Sequence, residues 1–309
     1  MVIAGNHDQP ARLQAWGTLA ELVDVHAVAY PRRAAQGGVV TIETRSGETA
    51  VVGAVPFAVP RLFITALELA ADETAVRQTY ADSLRAIVSE VSSAFTAETV
   101  NLLMAHTHLE GAVFSGSERQ VHLGQEWAAT PQALPSTAHY IALGHIHKPQ
   151  RIDAAPSPAY YAGSPLQLDF GEAGERKVFM RVDARPRQPA RIESVPYRGG
   201  KSLLTVQSRL ADLEKDADRL RDSGWLRVRV PLEKPDPDLN GKVRRLLPNA
   251  LVVEAEIHRQ AEAEPQARPP AGAPPVELFR AYFLREHERP PESELLEAFE
   301  KLHSGAEAD

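Results

Sequence analysis

The sequence predicts an α/β protein, a two-sheet sandwich flanked by helices, followed by a small α/β unit and a helical tail. Three observations carry that prediction. Short apolar runs end at glycine or histidine in three places: Val2-Ile3-Ala4 before Gly5-Asn6-His7-Asp8, Leu102-Leu103 before Met104-Ala105-His106, and Tyr140-Ile141-Ala142-Leu143 before Gly144-His145-Ile146-His147. A buried strand that stops at glycine lets the backbone turn tightly, so side chains at its carboxyl end can converge. Between the first two runs, residues 73–95 carry Val76, Tyr80, Leu84, Ile87, Val88, Val91 and Phe95, the spacing of a helix packed on a sheet. A second alternation of strand-like and helix-like runs occupies 203–257.

Composition narrows the class. A chain of 309 residues has room for one large domain and a smaller one. It contains no cysteine, which excludes disulfides and thiolate-bound zinc. The net charge of −7, from 34 basic and 41 acidic residues, argues against a surface coated in phosphate-binding cations. Any DNA contact is therefore local or shared with a partner. With no apolar run long enough to span a bilayer and no signal peptide at the start, a soluble cytoplasmic protein is expected.

The elements follow in order. Pro10 suits a first helical turn, and 13–22 reads as a helix ending near Val23. Two β-rich runs, 39–44 and 50–55, flank the hairpin signal Arg45-Ser46-Gly47. After the long helix, the strand 100–105 delivers His106; His108, two places on, faces similarly in an extended chain, so the pair offers a choice. Residues 120–137, with Pro131 and Pro135, read as a helix-poor crossover, and 160–162, 178–182 and 190–195 as short strands. Gly163-Ser164-Pro165 reads as a turn.

The second unit opens with a strand at 203–206, and Leu210, Leu213, Ala217 and Leu220 line one helix face closed by Gly224. Leu226, Val228 and Val230 alternate with Arg227 and Arg229, the pattern of a half-buried strand. A short helix at 241–247 and a strand at 251–257 complete it. Residues 259–275, rich in Ala, Glu, Gln and Pro, cannot bury a core and read as a tether. Beyond it, Val276, Phe279, Tyr282 and Phe283, then Leu295, Ala298, Phe299 and Leu302, keep helical spacing on either side of Pro290-Pro291. Helices this short need something to pack against. The expected boundaries are 1–198, 199–258, 259–275 and 276–309.

GNHD, a central histidine and GHIH, in that order, resemble the later motifs of the calcineurin-like metallophosphoesterases. The surrounding text at 2–13 (VIAGNHDQPARL), 108–112 (HLEGA), 115–119 (SGSER), 140–150 (YIALGHIHKPQ) and 161–172 (YAGSPLQLDFGE) is similar to the SbcD-type nuclease subunits within that family. The resemblance implies a metallophosphoesterase sandwich over 1–198 and a capping domain over 199–258 that helps select DNA. Arg227, Arg229, Lys242, Arg244 and Arg245 are its candidates for touching phosphates. It implies a tail that grips the coiled-coil base of an SbcC-type ATPase, and a homodimer within a heterotetramer. The activity implied is a metal-dependent 3′–5′ double-strand exonuclease and single-strand endonuclease of DNA recombination, replication and repair.

The resemblance also assigns roles. Two divalent ions, Mn²⁺ for preference, about 3.5–4 Å apart would activate water for in-line attack on a phosphodiester. Asn6, His106 and His145 would ligate one ion and His147 the other; family position selects His106 over His108. His7 would stabilise the transition state and protonate the leaving 3′ oxygen, with Asp8 orienting it. In the family an Asp-x-His motif and a Gly-Asp motif precede GNHD, and neither stands upstream here. Two βα units of roughly 30 residues or more each would supply them, so the chain is expected to start late. Asp24-Val25-His26 has the right letters but follows GNHD. One well-formed metal site and feeble hydrolysis are therefore expected. A non-catalytic paralogue, or a phosphatase or phosphodiesterase of the same superfamily, is the alternative.

Overall fold

A computed structural model describes residues 1–58, 62, 80–116, 128–197, 199–257, 274–287 and 289–306. The chain divides into two compact units, Met1–Glu256 and Ile257–Asp309.

The first unit is organised on a mixed sheet. Strand β1 (Val2–Ile3) leads through GNHD into helix α1 (Pro10–Ala20), started by Pro10, and pairs in parallel with β2 (Ala27–Val28). The hairpin of β3 (Val39–Glu43) and β4 (Thr49–Val55) forms where Arg45-Ser46-Gly47 signals it. Helix α2 (Tyr80–Ser92) then crosses to β5 (Val100–His106). The part of the predicted helix from 73 to 79 lies outside the described residues, as does 120–127 of the crossover. Short strands β6 (His108–Leu109) and β7 (Ala128–Ala129) pair in parallel before β8 (Tyr140–Gly144), β9 (Gln150–Arg151) and β10 (Ala159–Tyr161). The central sheet runs β3-β4-β5-β8-β10-β9, parallel through its middle and antiparallel at both edges.

Strand alternation sorts the two faces of this sheet. Leu103, Ala105, Ile141 and Leu143 join Leu84, Ile87, Val88 and Val91 of α2 in one buried core. On the opposite face Ala50, Val52, Leu102, Met104, Tyr140 and Ala142 line a cavity of about 520 Å³. Its rim includes Val182 and Asp183 of β11 (Val178–Asp183), which pairs antiparallel with β12 (Arg191–Pro196).

A second core sits between 203 and 253. Strands β13 (Leu203–Gln207), β14 (Trp225–Leu232) and β15 (Ala250–Ile257) form a three-stranded sheet, with β13 and β14 parallel. The single helix predicted after β13 is instead two, α3 (Leu210–Lys215) and α4 (Ala217–Arg221), because Asp216 (φ −92°, ψ 2°) leaves helical geometry. Leu213, Ala217 and Leu220 still share one buried face with Val243 of α5 (Leu239–Leu246) and with Leu226, Val228 and Val230.

In the second unit, α6 (Pro275–His287) and α7 (Ser293–Ala306) flank the prolines, and Phe279 stacks on Phe299 with centroids 4.3 Å apart. The predicted tether lies outside the described residues from 259 to 273. No helix among the described residues is long and apolar enough to cross a membrane.

Candidate metal centre

Three strand ends bring the donors together. After β1, the Gly5 N–H donates to the Asp8 carboxylate at 2.7 Å and the Asp8 N–H to the Gly5 carbonyl at 3.2 Å. These two bonds close GNHD into a turn with Asn6 and His7 at its central positions. The Ala4 backbone anchors that turn, its N–H bonded to the Val28 carbonyl and its carbonyl to the Phe57 N–H. β5 and β8 lie side by side in parallel with His106 opposite Gly144, so His106 and His145 emerge together.

The Asn6 Oδ1 lies 2.9 Å from His106 Nε2 and 3.4 Å from His145 Nδ1. The two rings meet edge to face with centroids 5.5 Å apart. Two ligands each about 2.1 Å from one cation stand roughly 3.0–3.4 Å apart in octahedral or tetrahedral geometry, so the amide oxygen has the spacing a shared cation requires. Neutral imidazole and amide oxygen suit a divalent ion of the first transition row. Among the described residues no three histidine, aspartate or glutamate side chains are grouped to hold a metal ion. A cation held by His106 and His145 would need the amide oxygen of Asn6 as a third donor.

Glycine makes room for the ring. A Cβ on Gly5 would stand 2.7 Å from His106 Cε1, and one on Gly144 would stand 2.8 Å from His106 Nδ1. His145 itself has φ +105°, a conformation that side-chain-bearing residues rarely adopt. Strain of that kind costs of order 1–3 kcal/mol and persists where the surroundings over-determine it, often at functional sites. Behind the site, the Tyr161 hydroxyl donates to the Thr107 carbonyl at 2.7 Å and accepts from the Leu109 N–H at 3.1 Å. Tyr80 bonds the Thr107 hydroxyl at 2.9 Å, which fixes the backbone between His106 and His108.

Burial, helped by the neighbouring His145, pushes the His106 imidazole down to about 4, with Asp8 opposing and His7 and His147 adding to it. The ring is thus held neutral through the physiological range, the form in which an imidazole can ligate a metal. An unfolded histidine titrates near 6.5. As pH falls from about 6.5 toward 4 the unfolded chain takes up a proton that the native ring refuses, so this contribution, complete above 6.5, is progressively lost. Urea unfolding of the metal-free protein should show about 2 kcal/mol more destabilisation between pH 7.5 and 5 than the His106→Ala variant shows. Equal losses in the two proteins would contradict the buried neutral ring.

The remaining sequence candidates lie as follows. His7 and Asp8 are exposed, and Asp8 is engaged with the Gly5 N–H. His108 packs on Phe114 with centroids 4.8 Å apart, its ring 6.4 Å from that of His145, and burial lowers its pKa. His26 gives its carbonyl to the Val2 N–H. His147 Nδ1 meets the carboxylate of Glu172 at 3.0 Å, a residue that closes the 161–172 stretch of the resemblance but is given no role there. Ser164, in the Gly163-Ser164-Pro165 turn of the same stretch, also bonds Glu172. The cations of the second core face acids: Arg227 and Arg229 meet Glu254 at 3.7 and 2.8 Å, Lys242 meets Asp236 at 2.6 Å, and Arg245 meets Asp238 at 3.0 Å. Arg244 donates to the Leu251 carbonyl. The pairs of Arg229, Lys242 and Arg245 are partly exposed and worth about 0–1 kcal/mol each, whereas Arg227 is only 24% exposed.

Fold and site together define an α/β protein with an imidazole and amide donor set at the carboxyl ends of parallel strands. Comparison with known proteins makes this specific. Residues 190–287 match the SbcD_C family model, described as a type 5 capsule protein repressor C-terminal domain. The SbcD subunit of the SbcCD nuclease of Bacillus subtilis (strain 168) is 32% identical over 234 residues, 74% of this chain and 59% of that protein. The corresponding subunit of Rhodobacter capsulatus is 29% identical over 302 residues, 91% of this chain and 72% of that protein. That of Escherichia coli (strain K12) is 26% identical over 283 residues, 85% and 67% respectively. The chain is thus similar to SbcD subunits along most of its length, and the matched region spans about three-fifths of the B. subtilis relative.

Proposed function

We propose that this chain is the nuclease subunit of an SbcCD-type complex, cleaving DNA phosphodiesters with a divalent cation, Mn²⁺ for preference. The observation that carries the reading is the meeting of the Asn6 amide oxygen with the nitrogens of His106 and His145, across 100 and 139 residues of sequence. These three side chains hold the ion, and His147 is the remaining imidazole of the GHIH pair. A cation held there would supply Lewis-acid activation of water and charge neutralisation at the phosphate. His7, exposed in the GNHD turn, protonates the departing 3′ oxygen, and Asp8 holds that turn closed through Gly5. With one donor set among the described residues, we expect one Mn²⁺ per chain and slow cleavage.

The wider reading follows the relatives. The β11–β12 ribbon, whose Val182 rims the cavity on the open sheet face, is the second layer of a metallophosphoesterase sandwich. The core between 203 and 253 is the capping domain, with Arg227, Arg229, Lys242, Arg244 and Arg245 available to phosphates, and 259–275 is the linker. Helices α6 and α7 receive an SbcC-type coiled-coil ATPase through Leu278, Tyr282 and Leu302, which are exposed. Trp16, Leu19, Leu22 and Val23 form an exposed apolar patch at the end of α1 that suits a second copy of the chain.

The test incubates the chain with end-labelled duplex and single-stranded DNA, with and without Mn²⁺ and an SbcC-type ATPase, beside His145→Ala. Mn²⁺-dependent cleavage lost in the variant supports the reading. Cleavage that survives chelation, or Mn²⁺ that fails to bind, overturns it. Binding of ATPase and metal without cleavage points to the non-catalytic paralogue.

A further inference from the structure

We propose that Glu172 is a positioning residue for His147, fixing the imidazole as the tautomer protonated on Nδ1 so that Nε2 presents a lone pair. This rests on the metal-site reading only for the purpose of that lone pair. Glu172 is completely buried at the end of the 3₁₀ turn Phe170–Glu172, itself set by the Asp169 side chain accepting from the Gly171 N–H. A carboxylate removed from water is costly unless several donors meet it. Three do. Ser164 Oγ donates to Oε2 at 2.7 Å, Lys177 Nζ to the same oxygen at 2.5 Å, and His147 Nδ1 approaches Oε1 at 3.0 Å.

Lys177, buried like its partner, also reaches the Glu175 carboxylate at 2.9 Å and the His147 carbonyl at 3.3 Å. Ser164 and Lys177 both donate to Glu172, and a carboxylate paired with an ammonium accepts hydrogen bonds rather than donating them. The proton between Glu172 and His147 therefore sits on Nδ1. Ser164 and Lys177 together occupy Oε2, so the carboxylate cannot swing away, and the Ser164 N–H bonded to the His147 carbonyl at 3.1 Å fixes the ring's own backbone. A carboxylate–histidine pair of this kind fixes the tautomer and orientation of a metal-binding imidazole. A plain structural staple would hold the loop but would leave the tautomer unspecified.

The test uses the whole chain, metal-free and labelled with ¹⁵N-histidine, in long-range proton–nitrogen correlation spectra at pH 8. The His147 resonance is assigned by its loss in His147→Gln. The expected pattern is Nδ1–H with an unprotonated Nε2. In Glu172→Leu combined with Lys177→Met, which removes both buried charges together and leaves Glu175 bonded to Ser115, His147 is expected to pass to a mixture in which Nε2–H is populated. An Nε2–H tautomer in the unmodified chain overturns the proposal even if the double variant fails to fold, and so does an unchanged tautomer in a folded double variant. Because the spectra need no metal, failure of the metal-site reading would leave the tautomer result standing, and the reverse holds too.

Discussion

Gly144→Ala is expected to lower Mn²⁺ affinity at least ten-fold while leaving the chain folded. Neither Gly5 nor Gly144 has a positive φ, so the backbone itself accepts alanine at both. The obstacle is the His106 ring between them, which the Cβ added at position 144 would meet 2.8 Å from Nδ1. The ring must rotate or retreat, and either motion breaks the 2.9 Å approach of Nε2 to the Asn6 oxygen. Gly5→Ala presses from the opposite side, at 2.7 Å from Cε1, and should behave alike. Displacements of about 1 Å suffice to spoil sites of this kind. Isothermal titration with Mn²⁺ beside a thermal melt separates loss of the site from loss of the fold; affinities within two-fold of the parent would show that the ring has other room.

Removing the ring should do more. His106→Ala deletes one nitrogen donor and leaves Asn6 with only the longer, 3.4 Å approach to His145. An affinity loss beyond the 10–100-fold typical of outer partners is expected, along with loss of any Mn²⁺-dependent cleavage. His108→Ala is the matched control, since His108 stands against Phe114 and its ring is 6.4 Å from that of His145. If the two substitutions weaken Mn²⁺ equally, the donor set is misassigned.

Much of this was legible from local pattern. Residues 39–55 announce their hairpin through a turn tripeptide between β-rich runs, and the helix over 80–92 through its spacing. GNHD and GHIH are compact enough to be seen as motifs, and their strand ends follow from the apolar runs before them. The choice between His106 and His108 was open on the residues alone, because both face the same way in an extended chain. The break of the 210–221 helix at Asp216 was hidden for a similar reason: the buried Leu213, Ala217 and Leu220 keep the same face on either side of it.

The chain's own order of residues determined which side chains could hold a cation, and roughly which strand would deliver each. Only the tertiary structure decided how they meet: Asn6 against His106, two distant glycines walling one ring, Glu172 beneath His147, and acids facing the cations of the second core. Spacing along a helix or strand is set by a repeating backbone and so is written locally. Contacts across the sheet depend on strand order and register, which many distant residues fix together.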